Sequence, residues 1–298
     1  MRGGPAAPRS GDREAKRQEH ARTVELGGLR WHLEVMGRGP ALLLLHGTGA
    51  SSHSFHALMP LLARHFTVVA PDLPGHGASR APRRFVPSLP AMAAAVAELL
   101  EALELSPRVA VGHSAGAAVA ARMTLDGSLS PSLLVGLAAA LVPFRGVTRA
   151  VFLPAAKLLS RSAVAARFLA LQAREVERIE RLVRSTGSTL DAAGLERYRR
   201  LSMRPGHVAA VLAMMAAWDL EPLHAELPGL PARLLLLAGE HDRAVPLAQQ
   251  RAVAARTPGA RLMVVKGTGH LLHEEQPERV ARLILDELDR PGRPRPRR

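Results

Sequence analysis

Six short stretches of the chain are apolar at nearly every position: ALLLLHG (41–47), FTVVAPD (66–72), RVAVGHS (108–114), LLVGLAAAL (133–141), ARLLLLAGE (232–240) and RLMVVKG (261–267). A strand with one wetted face alternates apolar and polar residues, so a run without alternation predicts a strand covered on both faces, as in a parallel sheet. Between these runs the pattern reads as helical, in SFHALMPLLARH (54–65), LPAMAAAVAELLEAL (89–103), AGAAVAARMTLDG (115–127), LAQQRAVAART (247–257) and PERVARLILDELDR (277–290). Ahead of them, RTVELGGLRWHLEVMG (22–37) alternates about a Gly-Gly pair and predicts a hairpin of two edge strands. Strands that take turns with helices imply right-handed crossovers. The expected fold class is therefore α/β, with a doubly wound, mostly parallel sheet.

The alternation lapses once, between Pro143 and about Pro228. There VERIERLV (176–183) and HVAAVLAMMAAW (207–218) show helical spacing, and STGSTLDAAG (185–194) breaks between them. An inserted all-helical cap over 143–227 is predicted, on a core made of 23–142 and 228–288. Residues 1–22 and 289–298 are expected to be disordered basic tails.

Charge changes this picture little. The formal balance is +14, but 37 of the 40 basic residues are Arg, which suggests a coding bias, and the two tails hold half of the excess. With aromatic residues at 3% there is little to stack on bases, and no nucleic-acid partner is expected. The longest uncharged apolar run, SLLVGLAAALVPF (132–144), is too short for a bilayer, so no transmembrane segment is expected. Residues 1–22 lack the apolar middle of a secretory signal, which gives the cytoplasm as the default compartment, with weak salt-sensitive attraction to anionic membranes through the tails. There is no cysteine, so disulfides and thiolate metal sites are excluded.

The third run ends on Gly112-His113-Ser114-Ala115-Gly116, with a helix pattern directly after it. A serine nucleophile has to project from a sharp strand-to-helix turn that tolerates only small flanking residues. The alternative is a serine that merely caps the helix. A hydroxyl at neutral pH needs an imidazole to take its proton and a carboxylate to hold that imidazole. His270, in a Gly-rich loop after the last run, sits where a base belongs when the chain order is serine, acid, histidine; His273 reads as a solvated helix residue, and His46 and His113 as loop-packing residues. For the acid, Asp242 lies past a strand end, while Glu240 is closer to the strand and could bind backbone instead. The oxyanion donors are expected to be the N–H groups of Ala115 and of Thr48 in HGTGAS (46–51), with Gly49 as the second choice. Asp72 has no companion carboxylate at metal-binding spacing, and no dinucleotide or phosphate loop is present, so neither a metal nor a cofactor is implied.

Together, His46-Gly47-Thr48-Gly49, Gly75-His76-Gly77, the Ser114 pentapeptide, Asp242 and His270 resemble the α/β-hydrolase superfamily over about Val24 to Leu288. GLRWHLEVMG, LHGTGASSHSF, VPFRG, STGSTLDAAGLERY and RPGHVAAVLAMMAAWDLEPL are more narrowly similar to the family of magnesium-chelatase accessory proteins of bacteriochlorophyll biosynthesis. That resemblance implies work in photosynthetic tetrapyrrole synthesis near magnesium insertion, a functional link to the chelatase, and a place at or beside the photosynthetic membrane. It leaves three readings open: a serine hydrolase acting on a small tetrapyrrole-pathway molecule, a general carboxylesterase or C–C bond hydrolase, and a non-catalytic porphyrin binder. Phe168, Met214, Met215 and Trp218 of the cap are expected to line a pocket for a large flat substrate, or else only to pack cap helices together.

Overall fold

The computed structural model describes residues 20–143, 158–160 and 162–290. Eight strands, β1 (Ala21–Leu26), β2 (Leu29–Met36), β3 (Ala41–Leu45), β4 (Thr67–Pro71), β5 (Val109–His113), β6 (Leu133–Leu137), β7 (Arg233–Gly239) and β8 (Arg261–Val265), form one sheet in the order β1-β2-β4-β3-β5-β6-β7-β8. Every pairing from β4 to β8 is parallel, while β1 pairs antiparallel with β2 and β2 antiparallel with β4. The chain winds outward in both directions from β3, which lies between β4 and β5. Ligands of open parallel sheets bind beyond the strand ends at such a reversal.

The unbroken apolar runs have the cause inferred for them. Successive residues of one strand point to opposite faces, so Leu43 and Leu45 enter one core layer while Leu42 and Leu44 enter the other. The first layer is closed by α2 (Leu89–Ala102) and α3 (Ala115–Leu125); the second by α1 (Met59–Leu62) and the last helix, Pro277–Leu288. Two details differ from expectation. Of the hairpin, only β1 is an edge strand; β2 lies inside the sheet, with Trp31 and Leu33 fully buried and Leu33 in register with Pro71. The expected helix 54–65 is instead a 3-10 turn at Ser52–Phe55 followed by α1, because Pro60 has no N–H to continue a helix and starts a new one.

Between β6 and β7 the described residues form helices and no strand: α4 (Ala163–Gln172), α5 (Val176–Ser185), α6 (Ala192–Ser202), α7 (Pro205–Ala217) and α8 (Glu221–Glu226). The remaining helices are α9 (Leu247–Arg256), α10 (Leu272–Glu275) and α11 (Pro277–Leu288). Asp191 caps α6 by accepting from Gly194 N–H, which is why the break read at 185–194 ends where it does. A small satellite core of Ala173, Ile179, Val183 and Leu195 gathers on Leu271, tying α5 and α6 to the segment that carries His270. Most of the two expected tails, and the VPFRG motif beyond Pro143, lie outside the described residues; Ala21 and Arg22 belong to β1.

Candidate active site

Ser114 follows β5 directly and stands at φ 51°, ψ −115°. For a residue with a Cβ this backbone costs about 1–3 kcal/mol and persists only where its surroundings impose it. The neighbours do so from both sides. A side chain at Gly112 would collide with the backbone of Ala117, and one at Gly116 with the carbonyls of Leu45 and His46, so α3 can close against β5 and β3 only with glycine at both positions. Ser114 N–H donates to Leu137 O at 2.9 Å, which anchors the turn to β6. Although Ser114 precedes α3, its side chain makes no cap bond to that helix. The loop after β3 lies alongside, close enough that a side chain on Gly47 would come within 3.0 Å of Ser114 Cβ. Among the described residues, neither Thr48 N–H nor Ala115 N–H has an acceptor.

Asp242 and His270 meet at the same end of the sheet. His270 Nδ1–H donates to Asp242 Oδ2 at 3.0 Å, while Asp242 Oδ1 accepts from Ala244 N–H at 2.9 Å and Val245 N–H at 2.8 Å. The carboxylate is thus fixed by backbone and aimed at one ring nitrogen, which leaves Nε2 as the lone-pair side of the imidazole. Glu240 is half exposed and accepts from Gly267 N–H at 2.9 Å. His113, next to Ser114, donates its Nε2–H to the His270 carbonyl at 3.1 Å, and the two ring centroids are 4.7 Å apart. Burial drives His113 well below its ordinary pKa, so it stays neutral and its one ring proton is committed to that bond. The Ser114 hydroxyl makes no hydrogen bond among the described residues, a looseness common before substrate arrives.

The inserted helices reach into this assembly through residues whose role was not legible in the sequence. Ser188, in the STGST loop, accepts Leu271 N–H at 2.8 Å, and Glu275 accepts Gly269 N–H at 2.7 Å and Thr189 N–H at 2.8 Å. These bonds bracket His270. His207 of α7 donates Nε2–H to Gly49 O at 3.3 Å and accepts Gly77 N–H on Nδ1 at 3.2 Å, joining the loop after β3 to the loop after β4. His76 lies between His46 and His207, with ring centroids 5.5 and 5.4 Å away. His46 accepts Leu73 N–H on Nε2 and donates Nδ1–H to Gly47 O, both at 2.8 Å. With the lone pairs of His46 and His207 already used by backbone N–H groups, this stack is a support for loops and not a ligand set. Asp72 is a scaffold too, accepting Ser52 N–H at 2.7 Å and Ala78 N–H at 2.8 Å. His273, expected in solvent, is fully buried against His113 and Phe55.

Of the four residues expected to line a pocket, Met214 is buried and its sulfur accepts from Thr48 Oγ1–H at 3.6 Å, while Met215 and Trp218 are half-buried. Phe168 stands apart, 57% exposed. The reason lies in α4, whose packing face is made of Ala166 and Ala170; Phe168 points the other way.

A family model described as "Alpha/beta hydrolase family" matches residues 42–283. The "Magnesium-chelatase 30 kDa subunit" of Rhodobacter capsulatus is 41% identical over 251 residues, 84% of this chain and 87% of that protein. The "Pimeloyl-[acyl-carrier protein] methyl ester esterase" of Xanthomonas oryzae pv. oryzae is 34% identical over 251 residues, 80% of this chain and 91% of that protein. Among solved structures, an α/β-hydrolase-fold protein from Burkholderia ambifaria superposes with a TM-score of 0.76 at 27% identity, covering 90% of this chain and 97% of its own.

Proposed function

Since the chain belongs to the alpha/beta hydrolase family, we propose that it is a serine hydrolase acting in bacteriochlorophyll synthesis near magnesium insertion. The observation that carries the chemistry is the strained, uncommitted Ser114 hydroxyl. A serine held at φ 51° that does not cap its helix is held there for something else. In the proposed reaction Ser114 Oγ attacks a carbonyl carbon while His270 Nε2 takes its proton. Asp242 keeps the other ring nitrogen protonated and stabilises the resulting imidazolium. Thr48 N–H and Ala115 N–H receive the oxyanion, each contributing about 3–4 kcal/mol to the transition state. His270 then returns the proton to the leaving group, and water attacking the acyl-enzyme with His270 as base restores the serine.

The pathway assignment rests on the relative named as a magnesium-chelatase subunit, 41% identical over most of both chains. A carbonyl ester of a tetrapyrrole or of a related metabolite suits both lines of support, with Met214 offering an apolar wall beside Thr48. The esterase relative favours ester cleavage over C–C cleavage. The test is a metabolite comparison between pigment-forming cells carrying the wild-type chain and cells carrying only Ser114→Ala. Accumulation of an esterified precursor in the variant supports the assignment. Full pigment synthesis with an unchanged metabolite profile removes it, and leaves a binding role beside the chelatase.

A further inference from the structure

Among the described residues every exposed large apolar side chain except Val86 lies between Leu158 and Leu182. The concentration is greatest on α4, which is apolar on two opposite sides. One side, Ala166 and Ala170, is buried, and α4 packs on α7. The other carries Val164, Phe168 and Leu171, at 76%, 57% and 53% exposure, with Leu158 a further 74% exposed just before the helix. Their i, i+4, i+7 spacing makes one stripe along the helix. A helix apolar on both sides is ordinarily covered on both, and among the described residues this one is covered on one.

Arg167 and Arg174 stand three residues after Val164 and Leu171, both exposed and neither with a carboxylate partner among the described residues. Apolar side chains flanked by arginines whose stems follow the apolar surface and whose heads reach outward are the pattern of a helix lying in a lipid headgroup layer. The charge argues against the obvious alternative. Two copies of this chain, each at a formal +14, would bring arginines against arginines if they met through the stripe. No single described helix is long and apolar enough to cross a membrane, and a contact through this stripe is one made from the surface.

We infer that the outer face of α4, Val164, Phe168 and Leu171 with Arg167, together with Arg174 just past the helix end, is a docking surface for an anionic lipid bilayer. The inference is independent of the serine chemistry. It moves the membrane contact from the basic tails, where composition alone had put it, to a helix of the insertion that also packs on α7, the helix carrying Met214.

The test is co-sedimentation of the full chain with vesicles of phosphatidylcholine alone and with about 30% phosphatidylglycerol. The wild type is expected on the anionic vesicles. Val164→Ser, Phe168→Ser and Leu171→Ser together leave every charge and both tails in place and should lower partitioning roughly tenfold or more. Arg167→Gln with Arg174→Gln should lower it severalfold and weaken its dependence on salt. All five positions are exposed, and an unchanged thermal midpoint will confirm that each variant is folded. Equal binding of the serine variant would assign the attraction to the tails and overturn the proposal. So would a wild type that ignores both vesicles, or one that forms dimers which the serine variant abolishes.

Discussion

Two groups of histidines with tilted or edge-to-face rings pack about the loop after β3. In one, His113 lies 4.7 Å from His270 and 4.5 Å from His273; in the other, His76 lies 5.5 Å from His46 and 5.4 Å from His207. Residue type, stacking and burial are nearly the same. The partners are not. His46 and His207 spend both ring nitrogens on backbone groups of neighbouring loops, and only His270 of the six is bonded to a carboxylate. A buried imidazole by itself stays neutral and serves as a spacer between loops. The carboxylate fixes a tautomer, aims the free nitrogen and stabilises the cation that forms when that nitrogen takes a proton. In the proposed reaction one group serves chemistry and the other shape.

The sharpest way to break this division is to remove the two proposed relay residues in turn. His270→Ala should lower kcat by on the order of 10⁴ or more, with little change in the thermal midpoint. Asp242→Asn keeps Oδ1 for Ala244 and Val245 N–H but presents an amide to His270. It should cost on the order of 10⁴ in kcat through the wrong tautomer. If either variant retains near wild-type turnover of an ester substrate, the carboxylate-bearing group does not perform the chemistry.

His207→Ala probes the other group. It frees Gly49 O and Gly77 N–H and lets the loop carrying Thr48 drift, so kcat should drop roughly tenfold to a hundredfold. His207→Gln, which can donate and accept at similar reach, should recover part of the loss. A change confined to KM would contradict the positioning role.

Acid sharpens the comparison through stability. Burial holds His46 down to about 4 and His76, His207 and His273 to about 3, against an ordinary 6.5. Between those values the unfolded chain binds protons that the folded chain refuses. Stability is thus complete above pH 6.5 and is lost as pH falls toward 4, by about tenfold in the folding equilibrium per unit and per group. Glu274 acts with the opposite sign: burial raises it to about 8, so its contribution fades as pH climbs from 4.5 toward 8. One carboxyl against four imidazoles leaves the acid side steeper. Thermal midpoints from pH 4 to 8 check this, and a flat acid limb would contradict the neutral stack. The smallest effect belongs to Glu240→Gln, which should stay within about twofold of wild-type activity because that side chain serves Gly267 N–H and not His270.

How far the sequence could be read follows from the same contrast. The parallel strands were legible because burial on both faces leaves runs such as ALLLL without alternation. Ser114, Asp242 and His270 stand out as candidates because a strand-to-helix turn between glycines and two strand-end loops restrict residue types locally. His207 and Ser188 left no comparable trace: their partners are backbone groups of segments distant in sequence, and any backbone offers those. The STGST stretch reads in the sequence as a break between helices, and its Ser188 braces Leu271 N–H. His273, one helical turn past His270, reads as a solvated helix residue, yet its ring fills the space between Phe55 and His113. Phe168 shows the converse. Apolar composition says that a helix has something to cover, not which face its own fold covers.

The most direct test of the relay is stoichiometric labelling with a fluorophosphonate, followed by identification of the modified peptide. The folded wild-type chain should take up one label per molecule, on Ser114, while Ser114→Ala takes none and Asp242→Asn labels far more slowly. A folded wild type that stays unlabelled, or a label that persists in Ser114→Ala, would contradict a nucleophile at the head of α3.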